Sequence, residues 1–293
     1  MNRIRFGAVA LTTVACAAAA LAGRAAFAAG TATPPEMKTT EYGRGTTVVF
    51  LPGLGSQRTQ WMPTARRLIG TNHVVMADLP GHGDSGMPDP FSFDAAAGML
   101  DGLLAKQNAE STIVVAHGVG GMIAVLEASK HPERMKGLIV IDGALRSPVR
   151  IPDQQKKFFT QFMDENYDAF LKQLFRPLGR DDAQSTEICA KAALVPSQNV
   201  KTYIRQLLDA DATGAAKSNP VPTLYVGSSV SWPDSLAWSA VAKERGWDGV
   251  ANLQTRRIGN SGYLIMADQP DSLAQVIRDF TTRVMGKTVA SGD

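Results

Sequence analysis

The stretch Val114-Val115-Ala116-His117-Gly118-Val119-Gly120-Gly121-Met122-Ile123-Ala124 constrains this chain more than any other. An apolar run stops abruptly at small residues, and a helix-compatible run to Lys130 begins at once. Strand, sharp turn and helix therefore follow one another without a spacer. Further apolar, β-branched runs set the same rhythm, Thr46 to Leu51, His73 to Ala77, Lys136 to Asp142 and Thr223 to Val226, and Leu253 to Ile258 reads as one more strand. Helical patterns lie between them, at about Gln60 to Ile69, Phe93 to Gln107, 235–245 and 269–285. Continuous apolar strands alternating with helices predict a mostly parallel sheet covered by helices on both faces.

Residues 148–220 break the alternation, because no strand pattern occurs there. Aromatic and aliphatic residues recur instead at spacings of three and four, and five of the chain's eleven phenylalanines fall within 158–175. A second helical stretch runs from Val200 to Leu208. The segment reads as a helical lid over the carboxyl ends of the strands, where open α/β sheets bind ligands. Phe158, Phe159, Phe162 and Phe170 either hold the lid down or line an apolar pocket beneath it.

The N-terminus carries an address. Arg3 and Arg5 precede a small, apolar run from Phe6 to Ala22, and Ala26-Phe27-Ala28 offers a cleavage site. This predicts a signal peptide over 1–28, a periplasmic or secreted product and no membrane span after cleavage. Cys16 sits in a poor lipoprotein context, because Thr13 is wrong for that box. Of 30 Lys and Arg, three lie within 1–28, which holds no acid, so 27 remain against 27 acidic residues. That balance excludes a strongly basic, nucleic-acid-binding surface. Cys189 is then the one cysteine left, in an apolar helical context, so an internal disulfide is excluded. The chain divides into the signal peptide, a polar lead-in (29–45), a core (46–147 and 221–286), the lid (148–220) and a C-terminal tail (287–293).

Five motifs in order resemble the α/β-hydrolase superfamily, over about residues 46–286. Phe50-Leu-Pro-Gly-Leu-Gly-Ser56 resembles the oxyanion loop after that family's third strand, and Asp78-Leu-Pro-Gly-His-Gly-Asp-Ser85 its D-x-P-G-x-G-x-S loop. The stretch 116–121 resembles its nucleophile elbow. His131-Pro-Glu-Arg-Met-Lys-Gly-Leu-Ile-Val-Ile-Asp142 resembles the approach to its sixth strand, after which a lid is inserted. Asn260-Ser-Gly-Tyr-Leu-Ile-Met-Ala-Asp-Gln-Pro270 resembles the loop of its catalytic histidine.

The resemblance implies acyl transfer by Ser, His and an acid. Carried over by position, the nucleophile falls on Gly118, which has no side chain to attack with. The histidine falls on Tyr263, a phenol that titrates near ~10. The acid falls on Val230, or on Asp142 in members that take it from the end of the sixth strand. Asp142 reads equally as a strand-end residue bonding nearby amides, and Asp234 as a helix cap. His82, His131 and His73 lie in loops or at strand starts. His117 precedes the apex, and strand alternation turns it toward the core if position 118 faces a pocket.

The amides of Leu54 and Val119 remain as the implied oxyanion donors, with Gly118 and Tyr263 shaping the space beside them. No metal constellation, cofactor or phosphate-binding motif is visible. Three functions stay open on the sequence. The first is a non-catalytic or weakly active protein that binds a small apolar acyl or carbonyl ligand. The second is an active carboxylic ester hydrolase or lyase using Ser56, Tyr263 or Asp142. The third is an envelope protein-interaction module.

Overall fold

The computed structural model describes residues 35–147 and 152–286. The signal peptide, Cys16 and the C-terminal tail of the sequence reading lie outside these residues. In chain order the first half runs β1 (Thr39–Tyr42), β2 (Thr46–Leu51), α1 (Met62–Ala65), β3 (Asn72–Ala77), α2 (Phe93–Leu104), β4 (Thr112–His117), α3 (Val119–Lys130) and β5 (Gly137–Ile141). Then come α4 (Asp153–Glu165), α5 (Tyr167–Phe175), α6 (Asp182–Ala192), α7 (Ser197–Leu207) and α8 (Thr213–Ser218). The chain closes with β6 (Thr223–Gly227), α9 (Trp238–Arg245), β7 (Leu253–Arg257), α10 (Ile265–Asp268) and α11 (Pro270–Val284).

The seven strands form one sheet in the order β1-β3-β2-β4-β5-β6-β7. All neighbours are parallel except β1 and β3. The α/β class and the parallel sheet thus match the sequence reading. The lead-in does not: Thr39 to Tyr42 form an antiparallel edge strand, with Thr39 opposite Ala77 and Tyr42 opposite Val74. Its side chains are half-buried or exposed, so it lacks the apolar run that marks the inner strands.

Alternation along the strands fills two cores. Val48 and Phe50 of β2, Ile113 and Val115 of β4 and Ile139 and Ile141 of β5 pack with α11 on one face. Val49, Leu51, Val114, Ala116, Leu138 and Val140 pack with α2 and α3 on the other. Each of these residues is fully buried, and a buried aliphatic of this size contributes roughly 1.5–3 kcal/mol.

Two glycines set the position of α3. Gly118 turns the chain out of β4 with φ +53 and ψ −121, a conformation that side chains strain to adopt. A Cβ at Gly120 would lie 2.5 Å from the Pro52 carbonyl oxygen, so only glycine lets the helix start against the end of β2. No described helix is long and apolar enough to cross a membrane.

Candidate functional site

Three loops meet at the carboxyl ends of β2, β3 and β4. After β2, Pro52 to Ser56 turn sharply, with Ser56 N–H donating to the Gly53 carbonyl at 3.2 Å. After β3, the Asp78 to Ser85 loop supports that turn from below. The His82 ring is fully buried, donating from Nδ1 to the Pro80 carbonyl (3.1 Å) and accepting Gly55 N–H at Nε2 (3.2 Å). Burial pushes His82 down to about 4, so the ring stays neutral and keeps that acceptor. Asp78, also fully buried, accepts Arg58 N–H (2.7 Å) and Asp84 N–H (3.2 Å) and pairs with the Arg58 guanidinium. The D-x-P-G-x-G-x-S stretch was visible in the sequence, but the partners that make it a brace were not.

The elbow supplies the third loop. Gly118 N–H is held by the Ile141 carbonyl at 2.9 Å. Val119 opens α3, whose positive end faces the site. Among the described residues neither Val119 N–H nor Leu54 N–H has a hydrogen-bond acceptor. Two backbone donors left open beside a helix N-terminus suit a carbonyl or carboxylate oxygen.

Tyr263 reaches into the same place. A Cβ built on Gly118 would overlap the Tyr263 hydroxyl and lie 3.4 Å from its Cζ. The phenol ring lies tilted against the His117 ring, centroids 4.2 Å apart and planes 53° from parallel. Its hydroxyl finds no hydrogen-bond partner among the described residues. Burial first, then the nearby Asp142, push Tyr263 above its ordinary value, so the hydroxyl keeps its proton and remains a donor.

His117 lies under this arrangement on the core side, as strand alternation predicts. It is fully buried, and Nε2–H donates to the Tyr263 carbonyl at 3.1 Å. Nδ1 is buried without a partner, and a Cβ on Gly53 would lie 2.8 Å from it. Burial holds this ring down to about 4, too low for an effective base at neutral pH.

Asp142 follows β5 with φ +51 and is 2 % exposed. Its Oδ1 accepts Ser228 N–H (2.8 Å) and the Ser231 hydroxyl, whereas Oδ2 is buried with no partner. Burial raises its pKa against the hydrogen bonds from Ser231 and Ser228, which lower it. The amide-bonding reading of Asp142 is therefore met at one oxygen only. Val230, the other acid position, is 46 % exposed and cannot move a proton. Asp234 caps no helix: it pairs with Arg257 at 2.5 Å on the surface, and α9 starts after Ala237 with no side-chain cap. The proline at 233 and the serine at 235 suggested a helix start that the chain delays by three residues.

The helical insertion grips the loops from above. Tyr203 Oη donates to the Pro80 carbonyl (3.0 Å) and Asn199 Nδ2 to the Gly81 carbonyl (2.7 Å). Phe175 and Ala192 close over Gly55, within 3 Å of where a Cβ would stand there. Sequence reasoning missed Phe175, whose position in the helical stripe gave no sign of its contact. The four phenylalanines singled out divide: Phe170 is buried against Phe159 in the insertion's own core, ring centroids 5.4 Å apart, while Phe158 (66 %) and Phe162 (41 %) are exposed. Cys189 is half-buried on α6 and free.

This geometry has known relatives. The sequence profile of the alpha/beta hydrolase family matches residues 48–276. The chain belongs to that family. A haloalkane dehalogenase from Agrobacterium fabrum is 22 % identical over 285 residues, covering 86 % of this chain and 90 % of its own. Among solved structures, an esterase from Thermogutta terrifontis superposes with a TM-score of 0.71 at 22 % identity, covering 87 % of this chain and 97 % of its own. The enol-lactonase from Burkholderia xenovorans LB400 superposes with a TM-score of 0.70 at 17 % identity, over 85 % and 97 %. At such identities the α/β-hydrolase family members share the fold with this chain, and its chemistry rests on its own residues.

Proposed function

We propose that this chain is a periplasmic or secreted α/β-hydrolase-fold protein that binds a small apolar acyl or carbonyl ligand and turns it over very slowly or not at all. One observation carries the reading: the Tyr263 hydroxyl fills the volume that any side chain at Gly118 would need. The elbow is kept, and a protonated phenol stands where the family's nucleophile would begin. Leu54 N–H, Val119 N–H and the Tyr263 hydroxyl then offer three donors to one oxygen. His117 is tied to a carbonyl and kept neutral, so no histidine is poised to accept a proton. The helices of residues 152–218 act as a lid whose Phe175 and Leu54 contacts give the site its apolar wall. Residues 1–28 act as the export signal.

A second reading has its own support. The unpartnered Oδ2 of Asp142 is a buried carboxylate oxygen near Tyr263, and a hydrolase or lyase of unfamiliar design could use it as a base. Two assays on the mature chain separate the readings: calorimetric binding of hexanoate or octanoate, and hydrolysis of the matching p-nitrophenyl esters. We expect acid binding, with ester turnover no more than about 10³–10⁴ over water, the level left by oxyanion and binding effects alone. Turnover in the ordinary enzyme range of about 1–10³ s⁻¹, abolished by Asp142→Asn, would establish the second reading instead.

A further inference from the structure

A second polar cluster lies away from the sheet edge, between α2 and the last turn of α3. Glu127 is 1 % exposed, yet its Oε1 is fully buried with no partner, and no described residue forms an ion pair with it. A buried, unpaired carboxylate is costly, and native proteins compensate for one with a cation or a proton. The nearest cations are already engaged: Arg134 Nε holds Asp101 Oδ1 at 2.6 Å, and Lys130 pairs with Asp94.

His131 caps the C-terminal end of α3, its N–H donating to the Glu127 carbonyl at 2.8 Å and its Nδ1 lying 3.5 Å from Glu133 Oε1, and Asp101 approaches from α2. One ligand atom from each of the three lies within 4.8 Å of the others. Tetrahedral ligands at about 2.0–2.2 Å from a zinc ion stand roughly 3.4 Å apart, so small torsions of the half-buried His131 and Asp101 close the gap. Arg134 binds Oδ1 of Asp101, which leaves Oδ2 to coordinate and makes the arginine an outer partner of the kind that orients metal ligands. The carbonyl end of α3 adds negative potential.

We propose that Asp101, Glu127 and His131 form a binding site for one divalent transition-metal ion of the zinc type, with water completing the shell. An imidazole with two carboxylates suits such an ion better than calcium, which takes six to eight oxygens. The ion pins α2 to the far end of the elbow helix. Residue spacing alone did not reveal it, because the third ligand comes from another helix and no H-x-x-x-H or C-x-x-C pair occurs. Without an ion, burial and the neighbouring Asp101 push Glu127 up to about 8, so a buried proton is the competing occupant.

The test is zinc titration of the tag-free, chelator-treated mature chain by calorimetry, with the thermal midpoint followed in parallel. The site predicts one ion per chain and a midpoint that rises with zinc. Glu127→Gln and His131→Ala should each weaken binding at least tenfold and remove the zinc-dependent rise, with circular dichroism confirming that both variants fold. No binding by the wild-type chain would overturn the proposal. Binding unchanged in both variants would overturn it equally, since the ion would then sit elsewhere, for example on Cys189.

Discussion

Two loops lie side by side at the carboxyl edge of the sheet and differ in one respect. In the Asp78 to Ser85 loop the buried polar groups are satisfied: both oxygens of Asp78 and both nitrogens of His82 have partners. Around Gly118 they are not. Asp142 Oδ2 and His117 Nδ1 are buried without partners, and beside them the half-buried Tyr263 hydroxyl and the amides of Leu54 and Val119 have none among the described residues. An unsatisfied buried group costs about 1–3 kcal/mol, so such a cluster is retained at a stability cost. The contrast teaches that one loop is braced by satisfied polar groups while the other leaves donors and acceptors open, as the proposed binding function requires. That is the pattern of a binding site, whether or not chemistry follows.

Acid should strain both loops most strongly. His82 and His117 are held down to about 4 in the fold against 6.5 for an ordinary histidine. Between those values the unfolded chain binds protons that the folded chain refuses, so stability rises with pH across this window and is lost on acidification. Each histidine should remove roughly 3 kcal/mol between pH 6.5 and 4, which urea unfolding as a function of pH will read. Glu127 works in the opposite sense from 4.5 to about 8, because there the fold keeps a proton that the unfolded chain releases. His117→Phe should flatten about half of the histidine slope.

Asp78→Asn should come next, at roughly 3 kcal/mol by denaturant unfolding, because it leaves the Arg58 guanidinium without its buried partner. Gly118→Ser follows at about 1–3 kcal/mol, from a strained φ and the overlap with Tyr263. Pairing it with Tyr263→Ala should recover a good part of that loss, a coupling that a double-mutant cycle measures directly. Asp142→Asn should be smallest, below about 1 kcal/mol, since the amide oxygen still accepts from Ser228 and Ser231 while a costly buried charge disappears. Equal losses from Asp78→Asn and Asp142→Asn would erase the contrast between the loops.

The sheet was legible because its inner strands are continuous apolar runs, as Val48 to Leu51 and Leu138 to Ile141 show. The edge strand was not, because Thr39 to Tyr42 need to satisfy only one neighbour and carry no such run. At the site, Gly118, Tyr263 and Asp142 could be placed from motif order. What the sequence could not carry was contact across long separations: His82 to Gly55, Phe175 over Gly55, and the Tyr263 hydroxyl against Gly118. The exposure of Phe158 and Phe162 was likewise hidden, because helical spacing marks a shared face and not what covers it.

The central claim is that the elbow is intact and holds no nucleophile. Intact mass of the folded mature chain after treatment with a fluorophosphonate, beside an active esterase as control, tests it most directly. The account predicts no adduct on this chain and complete labelling of the control. A stoichiometric adduct would contradict it, and peptide mapping would then name the residue that attacks.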